Sequence, residues 1–449
     1  MFSLFASQEK KLRTLAGNWL ELADKVYNFR RDVMAPAEVE ELQAKAAGVR
    51  TLLKERKCDS SRLKASLEIL EETLRRYGGK IYPKSSFVEN VEFFLVAAIV
   101  FLGIRTYFIQ PFKIPTNSMW PSYYGMTPEV FRQTADEPNI AHRAFRFLAF
   151  GARARRIDAP ADGEIEFTYG GGEGRGIISN RIVNGRSWFV LPAKLKEYTL
   201  FVGGAPVSFT VPLDFDFDWA LREAFFPGET SLEVALEKLN ARGQSQIRTV
   251  SIAGRPQNLR FFKTGKTVQK GERILSFDIL TGDQLFVDRM SYHFIQPPIG
   301  SGFVFRTGNI PGIRDTHGDQ YYIKRLVGGP GDSIEIREGT VGNGADAGAT
   351  TRQWTERTGV LMRNGQPIDG AKAFQQNNEH QGLYAGYVPY GELALGKVLA
   401  VPDNNFFALG DNSRNSLDGR YWGFVPAKDV VGRPLWIYYP FTKRWGPAR

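Results

Sequence analysis

Three short stretches of this chain hold side chains whose types and spacing could carry out chemistry. In residues 111–121, Pro115 and Pro121 bracket Thr116, Asn117 and Ser118, so the backbone there is stiff and extended and Ser118 is held in a fixed place. A serine hydroxyl is a weak nucleophile unless a neighbouring base removes its proton. Residues 321–332 supply one candidate base: Lys324 sits among Tyr322, Ile323, Leu326 and Val327, ahead of the turn at Pro330-Gly331. A lysine in water titrates near about 10.4 and stays protonated at neutral pH, but burial favours the neutral amine, which can activate a serine. In residues 409–420 a polar, turn-dense loop follows the apolar run Phe406-Phe407-Ala408-Leu409 and offers Asp411, Ser413, Ser416, Asp418 and Arg420 to position such a base. Each stretch taken alone has a plainer reading: a solvated loop serine, an edge-strand lysine, an exposed polar loop.

Metal chemistry has little to draw on. The chain has one cysteine, Cys58, and four histidines, none spaced as HExxH. With 449 residues, 43% hydrophobic and 24% charged, the composition suits two or three globular domains and excludes wholesale disorder and collagen-like repeats. The net charge of +10 is spread along the chain without a basic stripe interleaved with aromatics. It fits a negatively charged membrane surface better than a nucleic acid.

The elements that must position these residues divide the chain. Up to residue 84 it is rich in Glu, Lys, Arg, Leu and Ala, and Leu63, Leu67, Leu70 and Leu74 fall on one helical face. Two or three amphipathic helices are predicted, broken near Pro36 and residues 58–61, with Ser60 or Ser61 capping the last and Gly78-Gly79 ending it. A solvated hairpin and a docking element both fit this segment. Residues 93–104 are uninterrupted apolar, and the run continues past Arg105 to Ile109. A span needs roughly 20 residues and can be slightly shorter, Arg105 can snorkel, and Tyr107 suits an interface, so one transmembrane helix is expected over 88–110. Arg75, Arg76, Lys80 and Lys84 precede it, whereas only Lys113 follows closely, which puts the N-terminus in the cytoplasm and the remainder outside. The first ten residues do not read as a cleavable signal peptide. From about residue 160, short alternating runs at 164–168, 187–191, 198–202, 207–211, 274–277 and 284–287 predict strands, with one helix over 231–242. The glycines of 170–174 and the Gly265-Lys266-Thr267 triplet read as turns rather than phosphate cradles.

Taken together and in order, these pieces resemble bacterial type I signal peptidase, the membrane-bound Ser-Lys endopeptidase of the leader peptidase family. The Ser-Met-x-Pro box at 118–121 follows an apolar segment and an Ile-Pro dipeptide, 282–289 is similar to the strand after the nucleophile, 322–332 to the lysine box, and 410–420 to the Gly-Asp-Asn-x-x-x-Ser-x-Asp-x-Arg box. The resemblance implies that Ser118 is the nucleophile and Lys324 the general base. It also implies that the Thr116 hydroxyl joins the Ser118 N–H in the oxyanion hole, that Ser416 orients the lysine amine, and that Asp418 and Arg420 brace the loop. Ser122 and Gly419 depart mildly from the family pattern. The larger departure is the 161 positions from Pro121 to Gly282, where the family has a short connection.

The expected fold is therefore a mainly β, signal-peptidase-like catalytic domain formed by 111–121 and 282–449. It follows a helical segment (1–84) and one transmembrane helix, and an inserted α+β domain occupies 122–281. Residues 339–386, rich in Gly, Gln and Asn, read as an accessory hairpin or subdomain. The implied function is removal of signal peptides with small residues before the cleavage site, without cofactor or metal. The implied partners are preproteins, membrane lipid and, in that setting, the secretion machinery, and the implied location is the cytoplasmic membrane. A catalytically inactive, membrane-anchored preprotein-binding module and a self-cleaving Ser-Lys regulator are the rival readings.

Overall fold

The structure, a computed structural model, describes residues 8–55, 59–169, 177–187, 191–229, 231–252, 255–338 and 358–448. Two compact units divide at Leu102 and Gly103. In the first, α1 (Gln8–Arg30), α2 (Pro36–Lys54) and α3 (Ser60–Tyr77) bury Ala16, Ala23, Val26, Leu42, Val49, Leu67, Leu70 and Leu74 in one core. Pro36 opens α2, where its missing N–H costs nothing. The cap of α3 differs from expectation: Asp59, not Ser60 or Ser61, accepts from the Ser61 amide. Gly78 closes α3, its amide donating to the Leu74 carbonyl. Cys58 lies outside the described residues.

Helix α4 (Ser86–Tyr107) is long and apolar enough to cross a membrane, and none of its most apolar window is buried. It stops three residues short of the predicted end. Ile109 and Gln110 are strand instead, because they open β1 (Ile109–Lys113), which pairs antiparallel with β11 (Gln284–Asp288).

The second unit is mainly β. After β1 come β2 (Thr127–Val130), helix α5 (Ile140–Phe150) and β3 (Arg153–Asp158). Five further strands, β4 (Gly163–Tyr169), β5 (Asn180–Ser187), β6 (Leu191–Val202), β7 (Ala205–Pro212) and β8 (Ser245–Ile252), join β9 (Arg255–Val268) in a six-stranded sheet. Helices α6 (Phe217–Phe225) and α7 (Leu232–Ala241) contribute Phe217, Leu221, Leu232 and Leu236 to the core against it. Ser231 caps α7 by accepting from the Val234 amide. The strand β10 (Arg273–Leu280) then pairs with both β2 and β3 in a separate three-stranded sheet.

Gly265-Lys266-Thr267 is not a turn between elements. It lies inside β9, at an irregularity opposite 164–166 where Gly265 adopts φ +75°, and the backbone bulges without ending the strand. The glycines of 170–174, and residues 188–190 of the run expected at 187–191, lie outside the described residues.

An eight-stranded sheet runs β1-β11-β20-β12-β13-β18-β19, with β12 (Gly302–Arg306), β13 (Tyr321–Gly328), β18 (Asn405–Leu409), β19 (Val425–Pro426) and β20 (Val430–Tyr439), and β21 (Gly446–Pro447) beside β20. Beside it, β14 (Ser333–Glu338), β15 (Gly359–Arg363), β16 (Gln366–Pro367) and β17 (Leu399–Ala400) form a four-stranded sheet in the order β16-β15-β14-β17. Of the stretch read as an accessory hairpin, β15 and β16 belong to this sheet; residues 339–357 lie outside the described residues. Tyr123, at the start of the stretch read as an insert, is fully buried with Met119, Leu285 and Val304 beneath the eight-stranded sheet.

The start of α6 supplies a pH-dependent term. Burial, and then the neighbouring Asp216 charge, push the Asp218 carboxyl up to about 6 although it accepts from the Ile177 amide at 2.7 Å. A carboxyl raised above its unfolded value stabilises the fold fully below the unfolded pKa, near about 4, and loses that contribution as pH rises through about 6. The melting temperature should therefore fall between these values, and Asp218→Asn should flatten that part of the profile. An unchanged slope in the variant would assign the effect to other groups.

Candidate active site

Strand β1 leads into a single 3-10 turn, Asn117–Met119, which presents Ser118. The entry is pinned where the Ile114 amide donates to the Asp283 carbonyl at 2.9 Å. Asn117 locks the turn from inside: its Nδ2 donates to the Met126 carbonyl at 2.8 Å and its Oδ1 accepts from the Gly125 amide at 2.9 Å. Gly125 is required here, since a Cβ would lie 2.3 Å from the Thr116 carbonyl carbon. Asp283, fully buried, accepts from the Tyr124 amide at 2.9 Å and from Arg444 at 2.8 Å. Ser118 thus rests on a backbone held from both sides.

Lys324 lies in β13, opposite Phe303 of β12. It is 4% exposed, and its Nζ lies 2.5 Å from Ser118 Oγ, joining residues 206 positions apart. At that separation a proton can pass directly between hydroxyl and amine. The Tyr322 ring stands 5.5 Å from the same nitrogen.

The loop of 410–420 closes over the turn. The Asn412 amide donates to the Ser118 carbonyl at 3.0 Å, and Asn412 Nδ2 donates to the Asn117 carbonyl at 3.0 Å. Asp418 accepts from the Gly410 amide at 3.0 Å and from Arg420 Nε at 2.8 Å, both side chains being buried. Arg420 in turn reaches Ser413 Oγ at 2.8 Å and the Val388 carbonyl at 2.9 Å. Burial alone would lower the Arg420 guanidinium, yet the Asp418 charge holds it above its ordinary value.

Ser416 is brought into the same place. An added Cβ on Gly410 would fall 2.1 Å from Ser416 Oγ and 2.4 Å from the Ser118 carbonyl oxygen, so only glycine lets these atoms gather. The buried Ser416 hydroxyl nevertheless makes no hydrogen bond among the described residues, so the expected bond to the lysine amine is not formed. Thr116, exposed and extended (φ −111°, ψ 158°), immediately precedes the Ser118 turn.

Sequence reading left one buried ion pair without a role. Arg325 donates to Asp411 through Nε at 2.7 Å and Nη2 at 2.6 Å, and reaches the Gly300 carbonyl at 2.6 Å and Ser122 Oγ at 3.1 Å. Burial would lower the guanidinium, but Asp411 keeps it charged. The pair ties the lysine strand to the loop and to the residue after the nucleophile box. Its signal was a second charge directly after Lys324 in an otherwise apolar strand, with Asp411 in the loop motif to neutralise it. Asn117 and Asn412 carried no comparable signal, because an asparagine in a loop satisfies many turns.

The second unit is mainly β with helices, and one candidate apolar helix precedes it in the chain. Residues 259–439 match the family described as signal peptidase, peptidase S26. The matched segment includes Lys324, Ser416, Asp418 and Arg420, while Thr116 and Ser118 lie upstream of it. Among its relatives are a probable signal peptidase I-1 of Synechocystis, 29% identical over 37% of this chain and 66% of that one, and a signal peptidase I of Leptolyngbya laminosa, 27% identical over 36% and 62%. The chain thus spans somewhat under two thirds of the length of these two relatives. An inactive signal peptidase IA of Staphylococcus aureus is 25% identical over 36% of this chain and 72% of its own. A crystal structure of a signal peptidase I from Enterococcus faecalis aligns at 24% identity with a TM-score of 0.21, covering 31% of this chain and 97% of that one, a likeness too low to bear on the fold.

Proposed function

We propose that this protein is a membrane-anchored serine endopeptidase that removes signal peptides from exported preproteins, with Ser118 as nucleophile and Lys324 as general base. The observation that carries the reading is the buried 2.5 Å contact between Lys324 Nζ and Ser118 Oγ. With the amine neutral, Ser118 Oγ attacks the scissile carbonyl while Lys324 takes its proton. The resulting ammonium gives that proton to the leaving amine, leaving an acyl group on Ser118. A water that hands its proton to the same amine then hydrolyses the ester. Substrate would lie as an extended strand along β1, which among the described residues is an edge strand paired only with β11, with small side chains entering shallow pockets before the cut.

In this reading the helices of 1–84 are cytoplasmic, α4 spans the cytoplasmic membrane once, and 122–281 is a domain inserted into the catalytic unit. Membrane lipid is then a constant neighbour, and the secretion machinery an occasional one. The named inactive relatives favour one rival, a preprotein-binding module without catalysis. Cleavage of a preprotein by the purified protein in detergent decides between them, because a binding module would retain the preprotein uncut.

Thr116 is proposed as the second oxyanion donor beside the Ser118 N–H. Thr116→Val keeps the β-branched shape and deletes the hydroxyl, and kcat should fall by about 10² to 10³. Thr116→Ser should retain most activity because the donor remains. A kcat for Thr116→Val near wild type removes Thr116 from the mechanism.

A further inference from the structure

Helix α5 is amphipathic with its faces reversed. Ile140, Ala141, Ala144, Phe145, Phe147 and Leu148 fall on one side, and they are exposed, Ile140 at 85%, Leu148 at 71% and Phe145 at 59%. The side turned inward carries Arg146 instead. Its guanidinium is buried against Asp278, donating from Nε at 3.1 Å, and against Glu129 at 2.7 Å. A helix on a water-facing surface ordinarily buries its apolar stripe and exposes its charges. Here two carboxylates fix the opposite orientation, and the apolar stripe is held outward.

The surroundings indicate what covers that stripe. The C-terminal end of α5 is tied to the end of β20: the Phe441 amide donates to the Ala149 carbonyl at 3.0 Å, and Tyr439 Oη donates to the Phe147 carbonyl at 3.2 Å. Phe441 is itself exposed. From there an outward apolar row crosses the sheet, since Trp436 of β20 pairs with Phe286 of β11, and Phe286 with Pro111 of β1, all three exposed. Two residues earlier in β1, on the same face, Ile109 is exposed and follows Tyr107, the last residue of α4. The exposed surface of α5 is thus continuous with the strand that begins where the apolar helix ends. Its exposed charges are cationic: α5 presents Arg143 outward and carries no acidic residue, and exposed Lys443 lies two residues beyond Phe441.

We propose that α5 is an interfacial helix that lays its apolar face into the lipid surface, with Arg143 and Lys443 at the level of anionic headgroups. This rests on the membrane-anchored reading of the chain. It gives the region 122–281 a physical task, holding the catalytic unit down on the bilayer at a second point besides the span.

The full chain in vesicles of phosphatidylcholine and phosphatidylglycerol tests this, with Cys58→Ser as background and an environment-sensitive fluorophore on single cysteines. Leu148→Cys reports on α5, Phe94→Cys on the span, and Lys266→Cys on an exposed position in the bulge of β9. Acyl chains brominated near the headgroup should quench the Leu148 label by about twofold or more and leave the Lys266 label unchanged. Quenching at position 94 without quenching at 148 overturns the proposal and leaves the anchored reading standing. Absence of quenching at both overturns both. A label at 148 that is shielded from aqueous iodide only at high protein density, and untouched by brominated lipid, means a second copy of the chain covers the face, and also overturns it.

Discussion

In Ser118→Ala, cleavage of a preprotein in detergent should fall by about 10⁶-fold, because the proposed mechanism forms its acyl intermediate on Ser118. Lys324→Ala produces a loss of similar size, since the hydroxyl keeps its proton at neutral pH. The double variant should be scarcely worse than either single one, as expected of two groups that act as a unit. Both residues are almost fully buried, so each variant needs an independent check of folding, such as an unchanged melting profile. Retention of more than about a hundredth of wild-type rate in either well-folded single variant would break the dyad assignment. Retention in both would favour the binding-module reading of whatever processing is then seen, with cleavage supplied by a contaminant.

Asp411→Ala should unfold the catalytic unit more readily than any surface change. The substitution leaves the Arg325 guanidinium buried and charged, keeping its hydrogen bonds to Ser122 and the Gly300 carbonyl but losing its carboxylate. Breaking such a pair from one side costs about 3–5 kcal/mol, which corresponds to a fall in melting temperature of about 10 °C for a unit of this size. Replacing both partners together, Arg325→Met with Asp411→Leu, should recover most of that loss, because no lone charge remains. The double variant should still lose activity, since the Arg325 bridge also holds Ser122 beside the nucleophile turn. If Asp411→Ala melts within a degree or two of wild type, the pair is not structural.

The parts of the candidate site were legible where the residue types themselves are restrictive. A serine between prolines, a lysine in an apolar strand and a loop dense in Asp, Asn and Ser mark Ser118, Lys324 and the 410–420 loop as candidates only when taken together, and the Leu63-Leu67-Leu70-Leu74 stripe suffices for α3. These signals are local, set by side-chain period and backbone restriction. The apolar run was equally plain, though its end was not: Ile109 is as apolar as its predecessors and becomes strand only because β11 offers it a partner.

What the tertiary structure alone decided are the pairings between distant parts of the chain. No local pattern shows that Arg325 faces Asp411 rather than solvent, or that Asn412 donates to the Ser118 carbonyl from 294 positions away in sequence. The same holds for α5, whose sequence is that of an ordinary amphipathic helix. Which face points inward depends on Asp278 and Glu129, supplied by β10 and β2, and the buried Arg146–Asp278 pair, braced by the half-exposed Glu129, outweighs the apolar stripe because an unpaired buried arginine or aspartate costs more than an exposed leucine. Sequence determines which side chains are available and how each segment folds locally; the long-range antiparallel pairings bring lysine to serine and turn a helix inside out.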